Sequence, residues 1–573
     1  MRFSFQVFLV GGLLLHCASA STPEWAELRN IERTAEGYRT TGPDPWLISE
    51  VIEPHLPAER CYLLIELSSS RRETMQVFWR GPGESFVEER SVRFEVPAGG
   101  RTAVRVVDLG QRGNFRNVEA IRFDPSQGAG LRFRIDRLEL ITLSEVPEEA
   151  WVSLLEFDCY TSKLHYRPGE RIEYQMTMQS KSYPDRQSSK ILEAKVYDEK
   201  GREVGAGVQH YGLLPMHQIR ELRGGVEVPK PLSPGRYRID VTSTDQRSGL
   251  ALKASKTFGV QGEDDPFIYE TPFKYINDFS LIQGKDGRWH VFGITGDLTP
   301  GMVWTQDGQA RTFSHGSSAD LRNWTYHKPV ITISNDEHPD GNGRYGDRNV
   351  WAPHVIRHGD TYFMFYTSVN EFISQSISLA TSKDLFEWEE YEGNPVFTLE
   401  GVEWAKWTRD EWSDCRDPVV LVDGDKFYLY VTGEASEFKD ARDQGLIAVA
   451  ESDDLIHWKN PEIAVRGHRA MESPQVWKEG GRYHMVTSAQ GAGTFASEHP
   501  VRSWEKKEFP RAPVREAEKY VDAIDGRIEE IVWLEDRRMV MATGSFRNSV
   551  YFFEVETDGA GKPVRYKSPF RLP

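Results

Sequence analysis

Cysteine is scarce in this 573-residue chain, with four copies, and no apolar run after the first twenty residues approaches the roughly 20 residues that a spanning helix needs. Membrane insertion is excluded on that ground. Cys17 falls in the leader, and Cys61, Cys159 and Cys415 are odd in number, far apart and without metal-ligand spacing, which argues for buried thiols rather than a disulfide scaffold. Positive charge is also short: 70 Lys and Arg stand against 87 Asp and Glu, a formal net charge of −17. Nucleic acid and anionic membrane attract basic patches, so neither fits as a partner, and the balance favours a neutral ligand. A Gly-rich phosphate loop, an HExxH pair and a Cys-His cluster are all missing, so nucleotide and zinc chemistry have no support.

The start of the chain reads as a secretory leader over residues 1–20. Arg2 supplies the positive end, Val7 to Leu15 the short apolar run, and Ala18-Ser19-Ala20 the small-residue cleavage site. The expected location is a periplasm or the outside. A lipoprotein reading through Cys17 is poorer, because bulky His16 sits where a small residue is wanted.

Aromatic residues, by contrast, are plentiful at 12%, with 16 Trp. Residues 21–148 alternate short β-type runs with turns. Ile121 and Phe123, then Leu131, Phe133, Ile135, Leu138 and Leu140, read as a closing strand pair of a jelly-roll-like accessory module. Residues 149–262 read as an Ig-like β-sandwich, with Pro-Gly turn starters at 168–169 and 234–235. Either module could bind sugar or act as scaffold.

Residues 263–573 repeat. Segments 277–296, 351–368, 416–433, 472–488 and 527–544 each read as a strand, a tight turn and an aromatic-rich strand ending near Thr or Ser. Between them recurs S-x-D-L-x-x-W, at 318–324, 382–388 and 452–458, with a reduced VRSW at 501–504. Repeats of this kind, each burying its faces only against its neighbours, predict an all-β chain ending in a five-bladed β-propeller. Trp324, Trp388 and Trp458 are expected to pack between blades.

The first strand of each blade lines the channel, so its leading residues converge. Asp278 and Asp417 fall at matching places in blades one and three, and Glu472 one residue earlier in blade four. Crowded carboxylates raise one another's pKa values, and glycoside hydrolysis needs one protonated and one ionised carboxyl. Trp351 and His354 open blade two at the same end, Arg416 precedes Asp417, and Arg527 opens blade five; all four are candidate substrate contacts, with structural pairing as the alternative for His354 and Arg416. The insert 403–412 carries Trp404, Trp407 and Trp412, whose flat faces suit sugar rings if they are not core packing. The polar loop 334–349 is a candidate rim.

Asn277-Asp278, Trp351-Ala352-Pro353-His354-Val355, Arg416-Asp417-Pro418, Glu472-Ser473-Pro474 and the S-x-D-L-x-x-W elements together resemble the five-bladed propeller glycosidases of family 43, over about residues 265–570. Family 32 fructosidases are related, but Phe279-Ser280-Leu281 and Ser473 depart from that family's motifs. The resemblance implies a secreted glycoside hydrolase acting on an arabinose- or xylose-containing plant- or algal-type glycan. Asp278 would be general base (nucleophile in a family 32-like retaining enzyme), Asp417 would tune pKa and orient the sugar, and Glu472 would be general acid. No cofactor is required, and a structural calcium ion is compatible with this clan. The alternatives are a retaining fructosidase-like enzyme and a non-catalytic carbohydrate-binding propeller. A phosphorylase would need a basic cluster for phosphate near the motifs, and none is evident.

Overall fold

The computed structural model describes residues 25–572 except 51–61, 100–101, 110–117, 127, 142–145, 148–149, 151–155, 180–186, 216–219, 247–250, 299–308, 334–347, 437–444, 468–469, 490–491, 509–512, 514–527 and 546–548. The leader, Cys61, Arg527 and most of the 334–349 loop lie outside the described residues. Among those described, the chain is all-β, and its one helical turn is the three-residue 3-10 turn Glu88–Arg90.

From Trp25 to Ile141 two five-stranded sheets share one core. Leu63, Ile65 and Leu67 of one sheet meet Met75, Val77, Trp79 and Phe123 of the other, residues two apart along a strand pointing to the same face. Between Glu156 and Val260 a three-stranded sheet faces a five-stranded one around Tyr174, Met176, Val196, Ile239 and Phe258. Cys159 and Cys415 are buried and free, and burial pushes the Cys159 thiol up to about 12.

After residue 270 come four antiparallel four-stranded sheets, beginning with the strands Lys274–Gln283, Asn349–His358, Cys415–Asp423 and Glu472–Glu479. A fifth begins with Ile528–Trp533 and continues through Met539–Ser545 to Ser549–Thr557. Its outer edge is completed by Phe267–Tyr269, which pairs antiparallel with Ser549–Thr557 from the far end of the chain. The first strands neighbour one another in sequence order, and the fifth returns to the first, so they close a cycle.

The S-x-D-L-x-x-W elements explain how the sheets hold together. In each, the Asp side chain accepts backbone N–H groups of the turn: Asp320 from Arg322 and Asn323, Asp384 from Phe386 and Glu387, Asp454 from Ile456 and His457. Such bonds let a short acidic side chain replace the missing sheet partner. The following Leu takes a positive φ (55° at Leu321, 72° at Leu385, 68° at Leu455) and turns the chain so that the Trp swings onto a neighbouring sheet. Trp388 meets Phe292 of the first sheet at 5.6 Å, Trp458 meets Phe365 of the second at 5.8 Å, and Trp504 meets Tyr430 of the third at 6.3 Å. Trp324 of the first sheet stacks on Phe552 of the fifth at 5.8 Å. Each aromatic pair adds about 0.5–1.5 kcal/mol beyond its buried area. The expectation that these Trp residues pack between neighbouring sheets holds.

Glu270 fastens the second sandwich to the fifth sheet. Its carboxylate, buried at 5% exposure, accepts from the backbone N–H of Leu164 and His165 at 3.0 Å and faces His165 Nδ1 at 2.8 Å; Ser549 donates to the same carboxylate. Burial alone would raise its pKa, but His165 and these donors outweigh burial and hold it below the usual value. A group depressed in this way contributes stability above the ordinary carboxylate range and loses it as pH falls. Glu270→Ala leaves buried donors unsatisfied, so it is expected to cost about 3 kcal/mol at neutral pH. Urea unfolding of the variant checks this, and an unchanged midpoint would show that the contact contributes nothing.

Candidate active site

The first strands of the first four sheets share one irregularity. The ladder register shifts between Asn277 and Phe279, Trp351 and His354, Arg416 and Val419, and Glu472 and Gln475. In the second, third and fourth, the residue before a proline takes a positive φ: 39° at Ala352, 55° at Asp417 and 48° at Ser473. A residue before proline normally avoids helical geometry, and one with a β-carbon at positive φ is strained by about 1–3 kcal/mol. Bulges of this type re-aim side chains. Here they bring Asp417 and Glu472 to one guanidinium, that of Arg416, with Asp278 near enough to feel the charges of all three.

Arg416 is largely buried. Its Nη2 donates to Glu472 Oε1 at 2.7 Å, its Nη1 lies 2.6 Å from Asp414 Oδ1 and donates to Gln375 Oε1 at 3.2 Å, and its Nε is 3.6 Å from Asp417 Oδ2. Burial works against its charge, yet Asp414, Asp417 and Glu472 more than offset that, and its pKa is raised. Asp417, 7% exposed, accepts on Oδ2 from Thr432 Oγ1 and from the Ser473 backbone N–H, both at 3.0 Å. Burial pushes its carboxyl up to about 6, with Arg416 opposing, Glu472 adding, and the Ser473 and Thr432 donors restraining the rise. Asp278 is partly covered and contacted by Asn277 Nδ2 at 3.2 Å. Burial, then the charges of Asp417 and Glu472, drive it well above the usual carboxylate range against the pull of Arg416. Glu472 is the most open of the three, its side chain 40% exposed. The site therefore offers one strongly proton-retaining carboxyl, one tuned carboxyl and one solvent-facing carboxylate, coupled through a single cation.

The remaining candidates separate. Trp351 is half-buried at the bulge position equivalent to Arg416 and Glu472. His354 faces the interior instead, at 8% exposure: Nδ1 lies 3.6 Å from Glu530 Oε1, and Nε2 lies 3.4 Å from the Val420 carbonyl. That enclosed position matches the structural alternative for His354 rather than a sugar contact. Trp407 is a second correction. At 7% exposure it belongs to the core between the second and third sheets, with Nε1 donating to the Gln375 carbonyl at 2.8 Å. The charged residues around it suggested a loop, but their side chains leave the core while the indole enters it. Among the described residues no group of three or more His, Cys, Asp or Glu side chains is arranged to hold a metal ion. His354 and Glu530 are a pair only, so no chemical step is assigned to a cation.

Sequence reasoning missed Asp414, Gln375, Thr367 and Thr432. Thr367 Oγ1 accepts the Asp417 backbone N–H at 3.0 Å and so supports the strained bulge. Nothing distinguishes Asp414 from the other acids of its loop, although its place two residues before Arg416 puts both on one strand edge.

Residues 301–521 match the family described as glycosyl hydrolases family 43. The chain is similar to that family. Two curated relatives, both named probable arabinan endo-1,5-alpha-L-arabinosidase A, from Aspergillus flavus and Aspergillus oryzae, are 29% identical over 185 residues, 32% of this chain and 49% of theirs. The match spans about half the length of those relatives. Similar solved structures include a thermostable family-43 glycoside hydrolase (19% identity, TM-score 0.39, covering 52% of this chain and 95% of that one). An exo-1,5-alpha-L-arabinanase from a bovine ruminal metagenomic library is 17% identical, with a TM-score of 0.35, covering 54% and 100%.

Thr432→Val removes one of the two donors restraining Asp417 while keeping the side-chain volume. The Asp417 carboxyl is then expected to titrate at a higher pH than in the wild type, read from carboxyl carbon shifts by NMR. An unchanged titration would mean that the hydroxyl does not tune it.

Proposed function

We propose that this protein is a secreted or periplasmic glycoside hydrolase of arabinose- or xylose-containing glycans. In this reading the five sheets are the blades of a propeller, and the two preceding sandwiches are its accessory modules. The observation that carries the proposal is that Asp417 and Glu472 both border the buried Arg416, with Asp278 near enough to feel all three charges. Hydrolysis of a glycosidic bond uses such grouped carboxyls, one carrying a proton and one ionised. The family match and the arabinanase names of the relatives support a pentose-containing glycan.

The resemblance assigns the base role to Asp278 and the acid role to Glu472. As base, Asp278 would take a proton from a water on the far face of the sugar ring, and Glu472 would protonate the leaving oxygen as the bond breaks. Asp417, its Oδ2 held by Thr432 and Ser473, would orient the sugar through Oδ1 and set the potential felt by both. The ligand-free geometry adds a condition. An ion pair with Arg416 requires ionised Glu472, whereas an acid must carry a proton, and the group driven toward protonation in the free site is Asp278. For the assigned roles to operate, entry of the glycan must loosen the Arg416–Glu472 contact, leaving Arg416 to Asp414 and Asp417, and the proton held on Asp278 must pass to Glu472, so that Asp278 is ionised as base and Glu472 carries the acid proton. The 40% exposure of Glu472 is consistent with a side chain free to make that move.

The test is hydrolysis of debranched arabinan, arabinoxylan and aryl pentosides, with the activity fractionated between cytoplasm and the extracytoplasmic space. Turnover of the best substrate should fall by about a thousandfold in Glu472→Gln, in line with loss of a general acid. Proton NMR of the first-formed product should show inverted configuration. Equal rates in wild type and variant would remove Glu472 from the mechanism. Binding without turnover in the wild type would favour a carbohydrate-binding protein.

A further inference from the structure

Two of the exposed large aromatic side chains stand on loops joined directly to the carboxylate cluster. Trp412 is 49% exposed and Phe372 46%. Trp412 ends the insert 403–412, and Phe372 tips the turn between Thr361–Val369 and Gln375–Ser382 of the second sheet. The two loops are laced together. Asn370 Nδ2 donates to the Arg409 carbonyl at 2.9 Å, Ser374 Oγ to the Thr408 carbonyl at 2.8 Å, and the Gln375 N–H to the Ser413 carbonyl at 3.1 Å. Asn370 Oδ1 also accepts the backbone N–H of Phe372 and of Ser374, both at 2.9 Å, so the turn bearing Phe372 is held from inside.

The indole of Trp412 is fixed as well as exposed. Its Nε1 donates to Asp414 Oδ1 at 2.8 Å, and the same oxygen lies 2.6 Å from Arg416 Nη1. Arg416 in turn holds Glu472 at 2.7 Å. One carboxylate thus connects an exposed aromatic face to the cation that pairs with the proposed acid. Trp404 and Trp407 of the same insert pack into or against the core, which leaves Trp412 as its outward-facing tryptophan. A large aromatic ring held in water by its polar edge presents its faces, and the apolar face of a sugar ring is the complementary surface.

We propose that Trp412, with Phe372 beside it on the interlocked turn, is the platform for a sugar unit next to the one cleaved, so that the substrate is a neutral oligosaccharide chain rather than a single glycoside. This rests on the glycosidase reading and deepens it. Stacking on Trp412 anchors the chain at the rim, and the Asp414 link keeps that anchor in register with Arg416 and Glu472. Correct placement of a remote unit raises the rate at the reacting bond, because positioning supplies much of catalysis.

The experiment compares wild type, Trp412→Ala and Trp412→Phe on 1,5-α-arabinotetraose, 1,4-β-xylotetraose and a 4-nitrophenyl pentoside, and measures binding of both tetraoses to the same proteins by calorimetry. For the better tetraose, Trp412→Ala should lose about tenfold more in kcat/KM than it loses on the aryl glycoside, and bind that tetraose about tenfold more weakly. Trp412→Phe, which keeps a stacking face, should recover most of the binding. Equal losses on long and short substrates, or unchanged tetraose binding, would overturn the platform. A wild type that binds a tetraose but cleaves nothing would overturn the glycosidase reading and leave the platform to the calorimetric comparison. A wild type that binds neither tetraose would overturn the platform itself.

Discussion

The site is organised by one cation in a buried nest of carboxylates. Without Arg416, Asp278, Asp414, Asp417 and Glu472 would crowd several negative charges into poorly solvated space, at a cost of several kcal/mol for each unpaired ion. With it, the cluster keeps net negative charge, and burial, with that repulsion added, raises the pKa values of Asp278 and Asp417. The raised values are useful to the proposed chemistry, since a carboxyl near neutrality can either give or take a proton. The same cation also fixes geometry, because it ties Asp414 and Asp417 of its own strand segment to Gln375 of the second sheet and Glu472 of the fourth.

That nest depends on backbone strain. Three consecutive sheets carry a positive-φ residue before proline at equivalent points of their first strands. A regular strand would send Asp417 and its neighbours to alternating faces; the bulge breaks the alternation, and proline cannot pair in the ladder, which keeps the break in place. The energy that holds the strained strands comes from the outer parts of the sheets, where Asp-capped turns direct Trp388 and Trp458 onto the preceding sheet and Trp324 onto the fifth, and a turn held by His499 directs Trp504 onto the third. Sequence, packing and site geometry are in this sense a single construction: the periphery supplies stability and the centre uses some of it.

Much of this was legible before any coordinates. Five repeats gave five sheets, because the apolar alternation and the turn residues that define a sheet are local. Asp417 and Glu472 were aligned through Pro418 and Pro474, each of which lies at a bulge, and Asp278 through its matching strand, whose bulge has no proline. What was not legible was non-local. Phe267–Tyr269 joining the last sheet depends on a pairing across almost three hundred residues, and its short sequence carries no sign of that partner. His354 and Trp407 share the same cause of error. Their neighbours in sequence are polar or belong to the site, but alternation turns His354 to the interior, and the indole of Trp407 enters a core that is assembled from two sheets. Asp414 was missed because its function is defined by Arg416 and Trp412 together, and single acidic residues in a charged loop carry no mark. Arg527 lies outside the described residues and remains a proposal from the sequence.

Everything proposed for this site turns on where a glycan sits. The most direct measurement is a crystal structure of the Glu472→Gln protein with a tetrasaccharide that the wild type cleaves. The account predicts a glycosidic oxygen beside residue 472, the adjoining sugar between it and Asp278, and Arg416 drawn toward Asp414 and Asp417. A sugar bound only on the sandwiches of residues 25–260, with the Arg416 nest empty, would contradict it.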